Sequence, residues 1–255
     1  MIPILQAMID AALAAGHEIE RIYGAGCAEE VKRDGSPVTE ADRRAEAIIL
    51  SRLEEAYPHI PVLAEEEASA GRVPQLGSRF FCVDPLDGTR GFINRNGEFT
   101  VNVALVQDGA ATAGVIYAPD AHLLYYGAVG EGAWRVRDGG TPEPIHTREP
   151  PPQGLTVIAS RTTAEKTAAR LKHLQIAKFL PSSSALKFCL VAEGSADLYP
   201  RYGPTMEWDS AAGQAIVEAA GGRVLALDGD TEVGPLRYGN IERNFENPHF
   251  IVSGK

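Results

Sequence analysis

Cysteine is scarce, with Cys27, Cys82 and Cys189 the three in 255 residues. They form no C-x-x-C pair, which removes the usual zinc and disulfide frameworks and leaves buried free thiols in a reducing cytoplasm as the simplest reading. Basic residues are also short: 24 Lys and Arg face 34 Asp and Glu, a formal net charge of −10. Such a chain lacks the cationic footprint that nucleic-acid binding requires. Long apolar runs are missing too. The N-terminal stretch MIPILQAMIDAALAAGHEIERIY is interrupted by Asp10, His17, Glu18 and Glu20, and no basic segment precedes it. It reads as neither a spanning helix nor a signal peptide. Without a basic face it supports at most peripheral attachment to a membrane. No internal repeat is found, and low complexity is confined to the serines at 182–184.

What is present is the composition of a soluble globular protein, 44% hydrophobic and 23% charged. The length suits one large domain or two modest ones sharing a core. Ile4, Leu5, Met8, Ile9, Ala12, Leu13, Ile19 and Ile22 recur at helical spacing, with Gly24 as the expected stop. A second helix is expected from Thr39 to about Ala56. Thr39 and Asp42 give a capping-box pattern, Ala45, Ile48, Ile49 and Leu53 a buried stripe, and Pro58 an end. Short β-rich runs follow at 61–64, 79–83, 100–106, 113–117 and 123–128, with Asp108-Gly109 as a hairpin signal. The Gly- and Pro-rich segment 137–153 reads as a connection, either a surface loop or a linker. Strands are then expected at 155–159, 176–180, 196–199 and 223–227, and helices at 164–174, 184–192 and 208–220. The pattern predicts an α/β (α+β) layered sandwich in two lobes, 1–150 and 151–255, the first with most candidate ligands and the second with Asp209.

The chemistry concentrates in FFCVDPLDGTRGF, from Phe80 to Phe92. An apolar strand runs into Asp84 and Asp87, two carboxylates three residues apart, with Pro85 stiffening the loop between them. Gly88 and Thr89 then offer backbone N–H groups to an anion where a helix begins. Asp-Pro and Asp-Gly are also ordinary turn formers, so composition alone supports either reading. Glu65, Glu66 and Glu67 follow the apolar strand Pro-Val-Leu-Ala; a solvated acidic face and a site carboxylate are both open. Asp209, opening the small-residue helix WDSAAG, is equally a good N-cap, and Asp42 is explained by its capping position.

Together DPLDGT and WDSAAG, preceded by AEEE and SPVTEAD, resemble the inositol monophosphatase superfamily of metal-dependent phosphatases. NGEFTVNVAL, SALKFCLVAEGSADLYPRYGPT and the near-terminal NPHFIVS are similar to its 3′(2′),5′-bisphosphate nucleotidases of the CysQ type. The match spans nearly the whole chain; Ala64, where relatives often carry Ser or Gly, is a minor departure. The resemblance implies a layered αβαβα sandwich of the sugar-phosphatase type. It further implies that Glu65, Asp84 and the Leu86 carbonyl bind one metal ion, that Asp84, Asp87 and Asp209 bind a second, and that a weaker third sits near Glu65. Glu65 and Thr89 would position the attacking water, with Asp42 behind Thr89, and Gly88 and Thr89 would hold the scissile phosphate. All-oxygen ligands suit two to three Mg2+ ions. Such cations would also offset the repulsion between an acidic protein and an anionic substrate.

The implied substrate is adenosine 3′,5′-bisphosphate, hydrolysed to AMP and phosphate as part of sulfur metabolism. Ser183, Ser184 and Lys187 are candidates for its second phosphate, or a helix start with a solvated lysine. Tyr199, Arg201 and Tyr202 offer a surface for base or phosphate, or pack a turn. Lys32 and Arg33, beside Asp34-Gly35-Ser36-Pro37, suggest a loop able to close over the site, or a solvated one. Lithium sensitivity, a cytoplasmic location with possible attachment at the inner membrane, and a monomer or homodimer complete what is expected. The rivals are the same chemistry on inositol monophosphate or another sugar phosphate, and a silent regulator. Against the latter, Glu65, Asp84, Asp87, Thr89 and Asp209 are all present.

Overall fold

The computed structural model describes residues 2–26, 29–32, 35–159, 164–182 and 185–255. Cys27, Arg33, Asp34, Ser183 and Ser184 therefore lie outside the described residues. Helix α1 (Pro3–Ala25) runs past Gly24 and ends at Gly26, whose φ of +78° breaks the helix. Nothing at Gly24 forces a stop, because a Cβ there would meet only open space. Strands β1 (Glu29–Val31) and β2 (Pro37–Thr39) pair antiparallel on either side of the segment expected as a loop, making a hairpin. Helix α2 (Glu40–Ala56) starts at the Thr39 cap, where Asp42 accepts from the Thr39 N–H at 2.7 Å. Strand β3 (Val62–Ala64) leads into a five-residue helix α3 (Glu65–Ser69), which the acidic run had concealed.

Strand β4 (Arg79–Asp87), the short helix α4 (Thr89–Ile93), and strands β5 (Thr100–Gln107), β6 (Ala110–Ala118), β7 (Leu123–Ala128), β8 (Gly132–Arg137) and β9 (Glu143–Ile145) follow. Together β3 to β9 form a seven-stranded sheet in sequence order, antiparallel except for β3 beside β4. The β5–β6 turn has positive φ at Asp108 and Gly109, as a two-residue hairpin requires. Part of the segment read as a connection is the edge strand β9, and the Thr147 N–H donates to the Ala220 carbonyl.

The second sheet has the order β11-β10-β12-β15-β13-β14. Its strands are β10 (Leu155–Ala159), β11 (Ile176–Pro181), β12 (Leu198–Arg201), β13 (Arg223–Asp228), β14 (Thr231–Pro235) and β15 (His249–Ser253). Between them run α5 (Ala164–Arg170), shorter than expected, α6 (Leu186–Ala192) and α7 (Glu207–Ala219). The strand β15 was not foreseen. Its five residues carry few turn signals, yet it joins β12 to β13.

Alternation of side chains assigns the layers. Phe81, Val83 and Val103 pack with α1 and α2, whereas Phe80, Cys82 and Ala104 face the other way and pack with α7 residues such as Ala211 and Ala212. In the second sheet Ile158 and Tyr199 join that same middle layer, and Val157 and Leu198 pack outward against Leu171, just after α5. The order α1/α2, first sheet, α6/α7, second sheet, α5 is an αβαβα sandwich.

The middle helix lies very close to the first sheet. A Cβ on Gly114 of β6 would sit 2.2 Å from the Ala212 carbonyl oxygen of α7, and one on Gly213 2.3 Å from Phe188. Backbone cannot yield as a flexible side chain would. Gly114→Ala should therefore destabilise the fold by about 1–3 kcal/mol through overpacking, measured by urea denaturation. An unchanged midpoint would show that α7 is free to move off the sheet.

Candidate active site

A strand alternates its faces, so two side chains three apart should point in opposite directions. Asp84 and Asp87 do not. Asp84 pairs with Asn102 and Asp87 with Thr100, so three steps on β4 match two on β5. This bulge returns Asp87 to the face of Asp84. That face is the one bearing Phe80 and Cys82, toward α7, and α7 supplies Asp209. Among the described residues, carboxylate oxygens of Asp84, Asp87 and Asp209 lie within 4.8 Å of one another. Asp209 is not the N-cap of its helix. It is the third residue, and its Oδ2 accepts from the Met206 N–H at 2.7 Å, which aims the carboxylate at β4.

Glu65 reaches the cluster from β3. Ala64 is in register with Val83, so the next residue, Glu65, stands beside Asp84, and the two carboxyl groups are hydrogen-bonded. Like charges this close, roughly 4 Å apart, cost about 4 kcal/mol per pair at an effective dielectric near 20. The carboxyls respond by holding protons. Burial, with Glu65, Asp87 and Asp209 nearby, raises Asp84 well above the carboxylate range. Burial and Asp87 push Asp209 up to about 7. Burial also raises Glu65, although Lys32 opposes this. Such an oxygen-only set fits a hard divalent ion.

The loop after Asp87 is shaped for an anion. Gly88 has φ +92°, and a Cβ would approach the Glu98 carbonyl oxygen to 2.7 Å, so only glycine fits. The Thr89 hydroxyl lies 3.1 Å from Asp42 Oδ1 and 3.2 Å from the Leu86 carbonyl oxygen. It has one proton, so donating to Asp42 leaves its lone pairs to accept from water. Asp42 is buried, accepts from both the N–H and the hydroxyl of Thr39, and has its carboxyl raised by burial. The Ala185 N–H donates to Asp87 Oδ2 at 2.7 Å, joining β4 to the approach of α6.

Two supporting residues come from the hairpin and α2. The Lys32 ammonium donates to Glu65 Oε1 at 2.7 Å and Glu66 Oε1 at 2.6 Å. Buried Glu46 accepts from the Glu66 and Glu67 N–H groups at 2.8 and 3.0 Å, fixing the first turn of α3 and with it Glu65. Sequence reading passed over Glu46. Its one signal was a charge one helical turn after Asp42, beside the apolar stripe. Glu65, Asp87, Gly88, Thr89 and Lys187 line one cavity of about 790 Å3. Lys187 is nearly enclosed, 5.4 Å above the Tyr199 ring. Burial lowers its pKa to about 8, and Asp87 works against that fall. The cavity also takes in Arg90, Lys166 and Arg170, none of which the sequence had singled out.

The sequence signature of the inositol monophosphatase family matches residues 1–253. A Salmonella typhimurium protein named 3′(2′),5′-bisphosphate nucleotidase CysQ is 44% identical over 252 residues, 98% of this chain and 99% of its own length. Its Escherichia coli K12 namesake is 43% identical over 241 residues, 94% of this chain and 95% of its own. The crystal structure of CysQ from Bacteroides thetaiotaomicron superposes with a TM-score of 0.77 at 39% identity, covering 98% of this chain and 97% of that one. An inositol monophosphatase from Anabaena superposes at 0.73 with 27% identity, covering 98% and 90%. No helix among the described residues is long and apolar enough to cross a membrane.

The raised carboxyls bear on stability with a definite sign. Each binds more protons folded than unfolded, so the metal-free protein loses stability as pH rises from about 4 to about 7. A cation competes with those protons. The rise in melting temperature on adding Mg2+ should thus be larger at pH 7.5 than at pH 5.5. An equal or reversed effect, measured against EDTA-treated protein, would mean the cluster does not take up the ion.

Proposed function

The chain belongs to the inositol monophosphatase family, and from that premise we propose that it hydrolyses the 3′-phosphate of adenosine 3′,5′-bisphosphate. The observation that carries this reading is the convergence of Asp84, Asp87 and Asp209 beside the Gly88–Thr89 turn. Identity of 43–44% to proteins named bisphosphate nucleotidases, over nearly the full length, supports the choice of substrate over a sugar phosphate.

The residues that would hold Mg2+, two to three ions, are Glu65, Asp84, Asp87, Asp209 and the Leu86 carbonyl. When bound, the ions lower the cost of ionising water and neutralise charge on the phosphoryl oxygens. The chain's own groups supply position and proton control. Thr89, its proton directed to Asp42, accepts a hydrogen bond from the attacking water and orients a lone pair at phosphorus. Glu65, on the same cavity wall as Thr89, takes the second proton of that water. Backbone N–H groups of Gly88 and Thr89 bind the scissile phosphate at a turn whose conformation and close packing on Glu98 admit only glycine. Asp209, on the opposite helix, faces the departing 3′-oxygen, which is protonated by a water held there so that the nucleotide leaves as its 3′-alcohol. Lys187 supplies positive charge between this centre and the rest of the substrate. We place the enzyme in the cytoplasm, acting on a free metabolite.

Phosphate release from adenosine 3′,5′-bisphosphate should require Mg2+ and stop with EDTA. Asp87→Asn and Asp209→Asn should each lower kcat more than about 100-fold, since outer partners of metal ligands alone are worth about 10–100-fold. Their circular dichroism should match the parent. Near-parental turnover in either variant would overturn the site, and faster hydrolysis of inositol monophosphate would overturn the substrate.

A further inference from the structure

Strand β5 is buried along nearly its whole length, yet two of its buried residues are polar. Thr100 and Asn102 lie two apart, so they share the face that turns toward α7, with Ala104 next along it. A buried amide costs free energy unless both of its ends are hydrogen-bonded. Another valine, like Val101 and Val103 on either side, would avoid that cost. The Asn102 side chain is enclosed, at 1% exposure, and its Oδ1 accepts from the Thr100 hydroxyl at 2.9 Å. Its Nδ2 has no acceptor among the described residues. A buried donor left over in this way calls for a reason.

Two other buried side-chain atoms share that condition among the described residues, and both belong to groups already committed. Arg135 Nε sits on a guanidinium paired with Glu143 and Glu193 at 2.7 and 2.8 Å. Asn247 Oδ1 sits on an amide that donates to the Met206 carbonyl at 2.7 Å and so shapes the entry to α7. Asn102 differs in what stands beside it. Its partner on β6 is Ile116, which offers no side-chain acceptor, and neither does Ala104. Its partner on β4 is Asp84. Directly opposed residues of an antiparallel pair carry their side chains on one face, close enough to interact. Asp84 Oδ1 accepts from the Leu86 N–H at 3.0 Å, and the carboxyl is hydrogen-bonded with Glu65. The spare amide N–H therefore stands next to a carboxyl of the metal cluster without being bonded to it.

We propose that Asn102 is a positioning residue of the metal centre, its amide N–H donating to the Asp84 carboxylate when a divalent cation is bound. The role rests on the reading of Asp84 as a metal ligand. With an ion seated, Glu65 and Asp84 both turn lone pairs toward it, and the hydrogen bond between them is given up. Asp84 then has acceptor capacity to spare, since an ionised carboxylate offers about four lone-pair sites. The Asn102 amide, held by Thr100, is the donor in place to use it. A ligand carboxylate fixed from behind in this way keeps its orientation toward the ion. Thr100 itself stands opposite Asp87, so β5 backs both carboxylates of β4. Pairing on metal uptake ends the isolation of a buried donor, and that relief adds to metal affinity.

Wild type, Asn102→Leu and Asn102→Val are compared. Leucine keeps the size of the amide, and valine is the smaller alternative suited to a strand should leucine not fit. Mg2+ binding is measured by isothermal titration calorimetry on EDTA-stripped protein, and the melting temperature in EDTA reports on the fold. Affinity for Mg2+ should fall about 10–100-fold in the variants, the range for losing an outer partner of a metal ligand. The Mg2+ concentration that gives half-maximal phosphate release should rise in parallel, while the melting temperature in EDTA stays within a few degrees of wild type. A merely structural asparagine predicts the reverse, a lower melting temperature in EDTA with Mg2+ affinity unchanged. Affinity within twofold of wild type in either folded variant would overturn the role of Asn102 alone. A wild type that takes up no Mg2+ would overturn the metal centre and this role with it, before any substitution is made.

Discussion

The whole site depends on a single irregularity in the first sheet. Without the bulge between Asp84 and Asp87, strand alternation would turn Asp87 toward the α1/α2 layer, away from Asp209. With it, two carboxylates from one strand share a face with a third from the middle helix. Their mutual repulsion would push β4 and α7 apart if nothing opposed it. Apolar packing opposes it: Phe80, Cys82 and Ala104 meet Ala211, Ala212 and Ala215 just below the carboxylates. The glycines at 114 and 213 allow this close approach. Hydrophobic burial thus holds together groups that electrostatics alone would separate, and the strain is stored as affinity for protons or cations.

The outer side of the site follows a similar logic. Glu65 belongs to a turn too short to stabilise itself, and Glu46 supplies the acceptor its free N–H groups need. Burial pushes both Glu46 and Glu66 up to about 7. The Lys32 ammonium, fixed between Glu65 and Glu66, offsets part of the excess negative charge. Hairpin, α2 and α3 are thereby tied to one carboxylate, so a change at Glu65 reaches the hairpin directly.

An acidic protein acting on an anion must reverse its field locally. Two devices serve that end in this cavity: cation-seeking carboxylates beside the Gly88 turn, and the lysine and arginine side chains of α5, α6 and β12.

From the linear chain one could read α1, α2, the hairpin at Asp108-Gly109 and the carboxylate turn, because periodicity, caps and turn residues are local. The αβαβα layering was legible through motif resemblance, which also named Glu65, Asp84, Asp87 and Asp209 as candidate ligands. The chain could not show that Asp87 shares a face with Asp84, since register is set by the partner strand β5. Nor could it show that Asp209 is aimed by the Met206 N–H, that Glu46 braces α3, or that Lys166 and Arg170 enter the same cavity. The β15 strand was hidden for the same reason: its five residues acquire meaning only between β12 and β13. Local chemistry is written in neighbouring residues, whereas the meeting of groups more than a hundred positions apart is decided by packing alone.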